Sequence, residues 1–138
     1  MNIKLILQLS LFGLAMALLT ISIIPTSVEP ACWLIIFLIN AIIIARNCNN
    51  RYFLNGFLVS IANSIWITAA HVIWYNTYMA HHPQMQLPAN FPLATHPRIM
   101  MIITGPIVGA MCGLIQGLLA LIAAKTPLKK KAVDIKAA

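Results

Sequence analysis

The feature of this sequence that most constrains its fold is a series of long, almost uninterrupted apolar runs. Four segments of this kind cover residues of about 3–24, 30–46, 52–75 and 98–124. A helix needs about 20 apolar residues to cross a bilayer, whereas strands of membrane barrels alternate in polarity over about 10 residues. The runs therefore predict an all-α integral membrane protein that folds as a four-transmembrane-helix bundle.

The second segment is the shortest, because its uninterrupted apolar run covers only residues 31–45. A helix of that length rises about 22 Å, less than the roughly 30 Å of a hydrocarbon core. Glu29 and Pro30 favour the start of a helix, and Arg46 can extend its side chain to the interface. We therefore expect a complete span over 30–46.

Composition excludes the main alternatives to a membrane protein. Hydrophobic residues make up 61% of the chain and charged residues only 8%. Soluble domains carry about 25% charged residues, and disordered chains are poor in apolar residues. We predict one transmembrane domain over residues 1–125, an outer loop over 76–97, and a basic cytoplasmic tail over 126–138.

The basic residues predict the orientation. Four spans place both termini on one side, where eight of the nine basic residues would lie: Lys4, Arg46, Arg51, Lys125, Lys129, Lys130, Lys131 and Lys136. Arg98 alone lies on the other side. By the positive-inside rule both termini are cytoplasmic, and we expect a bacterial inner-membrane protein. Anionic lipid headgroups of the bilayer account for the net charge of +7, so no nucleic-acid partner is expected.

The fourth span carries a stripe of glycines at intervals of four residues: Gly105, Gly109, Gly113 and Gly117. This spacing makes a groove into which another helix backbone can pack, and it predicts a glycine zipper. We expect the partner to be a span of the same chain, such as the first span through Gly13 and Ala17. A second copy of the protein is the alternative.

The third span carries a row of polar residues at steps of three and four, which places them on one helical face: Ser60, Ser64, Thr68, His71, Tyr75 and Tyr78, with Asn63 beside them. Asn40 and Gln116 add amides in the second and fourth spans. These groups can form hydrogen bonds between helices, or they can line a wetted path or a small binding cavity.

The outer loop is uncharged and contains a compact set of soft ligands: Met79, His81, His82 and Met85, with His96 further along. Imidazole and thioether groups suit copper, and the histidines alone could bind zinc. Haem could use His71 with a histidine of the loop. The competing interpretation is that the methionines fill gaps under the loop and that no cofactor is bound.

Both acidic residues, Glu29 and Asp134, lie outside the spans. Ion-coupled transporters usually place a carboxylate in the membrane, and the sequence contains no phosphate-binding loop, nucleophile elbow or H-E-x-x-H motif. We therefore expect a small non-enzymatic protein, either an accessory or assembly subunit beside other membrane subunits or a self-associating homo-oligomer. The alternatives are an outer-face copper-binding protein and an uncoupled pore or facilitator for a small neutral solute.

Overall fold

The computed structural model describes residues 1–88, 90–91 and 93–126, and in these residues the chain is helical and contains no strand. Its α-helices are α1 (Ile3–Ser22), α2 (Glu29–Asn47), α3 (Tyr52–Ile73), α4 (Tyr75–His81) and α5 (Pro97–Lys125), with a short 3-10 helix at Pro83–Met85. Four of them, α1, α2, α3 and α5, are long and apolar enough to cross a membrane. The all-helical, multi-pass class is therefore confirmed. The predicted basic tail lies outside the described residues, apart from Thr126.

Helix ends follow local sequence signals. In α2 the Glu29 carboxylate and Pro30 occupy the first turn and Arg46 the last, so the helix extends beyond its apolar run to 19 residues. Helix α3 ends at Ile73, two residues before the predicted end of its span, because Trp74 leaves the helical region with φ −98° and ψ 35°. After this break α4 starts at Tyr75 and packs on α1.

Helix α3 is the centre of the bundle. It packs most extensively on α5 and next on α1, while α2 packs mainly on α5 and touches α1 and α3 only slightly. The helices therefore follow each other in space as α1, α3, α5 and α2. We call the end that carries Lys4, Arg46, Arg51 and Lys125 the basic end, and the opposite end, next to α4, the loop end.

The glycine stripe of α5 lies against α3. A Cβ atom built on its members would meet side chains of α3, in the order Thr68 for Gly105, Ser64 for Gly109, Phe57 for Gly113 and Phe53 for Gly117. The expected pairing of this stripe with α1 is therefore wrong. Gly13 of α1 instead faces Asn63 of α3. Helix α3 therefore lies between α1 and α5 and packs on the glycine stripe, where α1 was expected.

The apolar core differs between the two ends. At the basic end a cluster of buried residues draws on all four long helices: Leu5, Ile6, Leu9, Ile44, Cys48, Val59 and Ala120. At the loop end the buried apolar cluster draws only on α1 and α3, through Ala17, Ile21 and Ala70. Polar side chains take over part of the packing there.

Candidate functional site

The polar side chains of α3 divide between two neighbouring helices. On the α5 side, the Ser60 hydroxyl donates to the Gly109 carbonyl oxygen at 3.2 Å. Ser64 donates to the Ile61 carbonyl oxygen of its own helix and packs on Gly109. Thr68 lies against Gly105. Three of the predicted polar residues therefore join α3 to α5.

Two further members of the predicted polar face, Asn63 and His71, point to α1. Asn63 packs on the backbone of Gly13. The Thr20 hydroxyl donates to the Met16 carbonyl oxygen at 2.8 Å, so its oxygen accepts a hydrogen bond from His71 Nε2–H at 3.2 Å. The members of the predicted polar face that lie on α3 are therefore shared between two interfaces.

A compact polar and aromatic cluster closes the loop end, and we call it the loop-end clamp: Thr20, Thr26, His71, Tyr78 and His82. His82 Nε2 lies 2.7 Å from the Thr20 carbonyl oxygen, which can only accept, so this nitrogen carries the proton. The Thr26 hydroxyl then donates to His82 Nδ1 at 2.6 Å. These bonds attach α4 to α1 and to the connection between α1 and α2.

Three rings stack inside the loop-end clamp. Tyr78 lies between His71, at 4.0 Å between ring centroids, and His82, at 4.6 Å. Burial, helped by the negative charge of Glu29, raises the pKa of Tyr78, so the phenol stays protonated at neutral pH. The stack therefore packs one phenol between two imidazoles and ties α3 to α4.

Tyr75 lies apart from this clamp. The Arg98 guanidinium carbon lies 5.6 Å from the centroid of the Tyr75 ring, within range of a cation–π interaction. The two residues border a shallow cleft of about 350 Å³, which is also lined by Asn76, Thr95, His96, Pro97 and Ile99. Tyr75, a member of the predicted polar face, therefore lies at the loop-end surface.

The predicted soft ligands differ in burial and in hydrogen-bond partners. His82 is buried and both its ring nitrogens are already hydrogen-bonded. His81 and His96 are exposed, with their Nδ1 atoms near the Thr77 carbonyl oxygen and the Thr95 hydroxyl, and Met79 is buried while Met85 is exposed. Within the described residues, no three His, Cys, Asp or Glu side chains lie close enough to hold a metal ion. The copper hypothesis gains no support from these contacts.

Three buried amides lie between the helices. Gln116 Nε2 on α5 donates to the Phe37 carbonyl oxygen of α2 at 3.1 Å. Within residues 1–88, 90–91 and 93–126, the Gln116 Oε1 atom has no hydrogen-bond partner, and neither do the oxygen and nitrogen atoms of the Asn40 and Asn63 carboxamides. Buried polar groups in native proteins are nearly always hydrogen-bonded, so these amides require an explanation.

Thr20 and Thr26 were not predicted as members of a site. Thr20 is a single hydroxyl in an apolar run, and threonines in membrane helices commonly bond their own backbone, as Thr20 does to Met16. Thr20 also accepts a hydrogen bond from His71, which lies 51 positions later in the chain. No local pattern marks such a pair.

Comparison with known proteins adds no family to this description. No protein-family model matches the chain, and neither the curated proteins nor the solved structures give a significant match.

Proposed function

We propose that this protein is a small non-enzymatic subunit of a membrane assembly, which associates through α2 with other membrane proteins or with further copies of itself. The proposal rests on the observation that polar side chains inside the bundle form hydrogen bonds to neighbouring helices. Ser60, His71 and Gln116 each bind a neighbouring helix of the same chain. Side chains engaged in this way stabilise a bundle, and a substrate would have to displace these hydrogen bonds to reach them.

The α2 helix supplies the surface for association. Its buried residues, Asn40, Ala41, Ile44 and Ala45, all lie in the half towards the basic end. The other half exposes an apolar surface that includes Leu34, Ile35, Leu38 and Ile39. We interpret the stripe of α5 as a glycine zipper that is already filled by α3. Of the four long helices, α2 has the smallest buried share, so we assign the association surface to it.

We also propose that both termini face the cytoplasm of a bacterial cell, across its inner membrane. An even number of spans brings the termini to one side, and the positive-inside rule gives that side to the basic end. Reporters that are active only in the cytoplasm, fused separately to the two termini, should both be active. A reporter inserted after Gln86 should be inactive.

The test of assembly is the mass of the particle extracted from native membranes with a bilayer-preserving polymer. We expect a particle larger than one 15.2 kDa chain, with companions or copies in a fixed ratio. Leu38→Trp should lower that ratio, because a larger ring on the α2 surface obstructs close helix packing.

Leu18→Trp is the matched control. Leu18 lies on α1, with 48% of its side chain exposed against 46% for Leu38. The control should assemble as the wild type does. A single chain without companions, or equal effects of the two substitutions, would contradict the proposal.

The two alternatives from the sequence remain proposals with less support. A facilitator for a small neutral solute would need the polar face of α3 to line a path, yet Ser60 and His71 bind α5 and α1. A copper site would need His82 to release one of its hydrogen bonds. Solute flux into liposomes and metal analysis of the purified protein test them.

A further inference from the structure

The interface between α2 and α5 contains polar atoms that the protein itself does not satisfy. The Asn40 side chain is 0% exposed and that of Gln116 is 1% exposed. Three of their atoms have no hydrogen-bond partner among the residues that the structure describes: Asn40 Nδ2, Asn40 Oδ1 and Gln116 Oε1. Neither lipid nor an apolar side chain can hydrogen-bond these atoms, so leaving them unpaired is unfavourable.

The geometry brings the two carboxamides to one place. Gln116 Nε2 donates to the Phe37 carbonyl oxygen, which fixes the Gln116 side chain against α2. Asn40 follows Phe37 by three residues and so lies on the same face of the helix. Helical side chains lean towards the N-terminus, which directs Asn40 back over the turn that contains Phe37.

The unpaired atoms also match one small ligand chemically. They comprise one donor group, the Asn40 NH2, and two acceptors, Asn40 Oδ1 and Gln116 Oε1. A water molecule donates two hydrogen bonds and accepts two, so it can donate to both oxygens and accept from Asn40 Nδ2. Because the Gln116 NH2 is held by Phe37, its oxygen stays directed away from that carbonyl group.

We propose that Asn40 and Gln116 form an internal water-binding site that joins α2 to α5 within the membrane. The site explains why α2, which has few buried residues, places an amide among them. Buried water typically makes about three hydrogen bonds to groups that would otherwise be unpaired. The site goes beyond the proposed assembly function and does not depend on it, since the bound water would be present in a single chain.

The test is water-edited solid-state NMR of the full chain in lipid bilayers, with nitrogen-15 in asparagine, glutamine, isoleucine and valine. Gln116→Met assigns the Gln116 side-chain signal. We expect magnetisation to pass from water to the Gln116 NH2 group faster than to the backbone amides of Ile44 and Val59, which lie in the apolar cluster.

Two substitutions of Asn40 complete the test. Asn40→Val removes both polar atoms and should abolish the transfer to Gln116, and Asn40→Ser keeps a hydroxyl and should preserve it. Asn47→Val is the control, since Asn47 is exposed and bonds the Ile43 carbonyl oxygen of its own helix. The serine variant and the wild-type measurement keep the test decisive if the valine variant does not fold. The proposal is overturned if transfer to Gln116 in the wild type is no faster than to Ile44 and Val59, or if Asn40→Val leaves it unchanged.

Discussion

The two ends of this bundle are held together by different interactions. At the basic end all four long helices contribute to one apolar cluster, which contains Ile44 and Val59. At the loop end only α1 and α3 share such a cluster. There the loop-end clamp supplies hydrogen bonds and stacked rings around Thr20, His71 and His82.

The difference follows from what each end must connect. The basic end joins helices that pack side by side, and close packing is the main force between helices in lipid. The loop end must also attach α4 and the connection between α1 and α2, which are short and outside the apolar runs. Directional bonds to His82 and Thr26 suit such segments, because they fix position with little buried surface.

The largest loss of stability is expected from Gly56→Ala, which introduces a steric overlap between α3 and α5 towards the basic end. A Cβ atom there would lie 2.8 Å from the Gln116 carbonyl oxygen, and backbone cannot rotate away. We expect a loss of about 1–3 kcal/mol in unfolding free energy, typical of overpacking, measured by steric trapping in bilayers.

Gly105→Ala is the matched control for this prediction. Gly105 belongs to the loop-end half of the same interface, and its added Cβ would meet the Thr68 side chain, whose hydroxyl can change rotamer. The control should lose clearly less stability than Gly56→Ala. Equal losses would mean that the two halves of the interface are equally rigid.

Next in size is Ile44→Ala compared with Ile21→Ala. Ile44 belongs to the four-helix cluster and Ile21 to the two-helix cluster. In lipid the lost side chain costs mainly packing, so we expect about 2 kcal/mol for Ile44, the lower end of the range for such truncations. Ile21→Ala should cost about half as much in the same unfolding assay. A larger loss of unfolding free energy for Ile21→Ala than for Ile44→Ala would mean that the loop-end cluster contributes more to stability than the cluster at the basic end.

A more local effect is expected from His82→Phe, which keeps a ring in the stack and removes the bonds to Thr20 and Thr26. Each lost hydrogen bond costs about 1 kcal/mol. Hydrogen exchange should accelerate in α4 and leave the basic end unchanged. His81→Phe, at an exposed neighbouring residue, is the control and should leave hydrogen exchange unchanged both in α4 and at the basic end. Loss of protection at Ile44 in the His82→Phe variant would show that the two ends unfold together.

The smallest effect concerns the thiol of Cys48, studied with Cys32 and Cys112 replaced by serine. Burial raises the pKa of Cys48, so little of it is thiolate at neutral pH and its alkylation by maleimide should be slow. The rate should increase as the pH rises. Gly56→Ala should accelerate the labelling and His82→Phe should not, because Cys48 packs in the cluster at the basic end. Rapid labelling of the folded wild type at neutral pH would contradict the burial of this thiol.

The helices were predictable because a segment that spans lipid has to form all its backbone hydrogen bonds within itself, and a helix does so. Long apolar runs in the sequence therefore indicate helices directly. Even the extension of α2 to Glu29 and Arg46 followed from residues suited to its ends. The neighbours of each helix were not predictable in this way. The spacing of residues predicted the helical faces on which Gly109 and Ser64 lie. It did not predict which helices meet, because that depends on how well the side chains of two faces fit together.

The interior of the site was predictable only in part. His71 and Ser60 were recognisable as polar residues within a span, and both do bond across an interface. Their partners are the Thr20 hydroxyl and the Gly109 carbonyl oxygen, and a backbone oxygen carries no sequence signal at all. The loop-end clamp likewise depends on residues as far apart as Thr20 and His82.

The spatial order of the helices has a consequence for biosynthesis. Helix α2 packs mainly on α5, yet α3, α4 and the outer loop are all translated between them. Since chains emerge from the ribosome N-terminus first, α1 and α3 can pair early, while α2 has only its slight contacts with α1 and α3 until the last span is made. Its own apolar run therefore has to keep it inserted before its main neighbour, α5, is present.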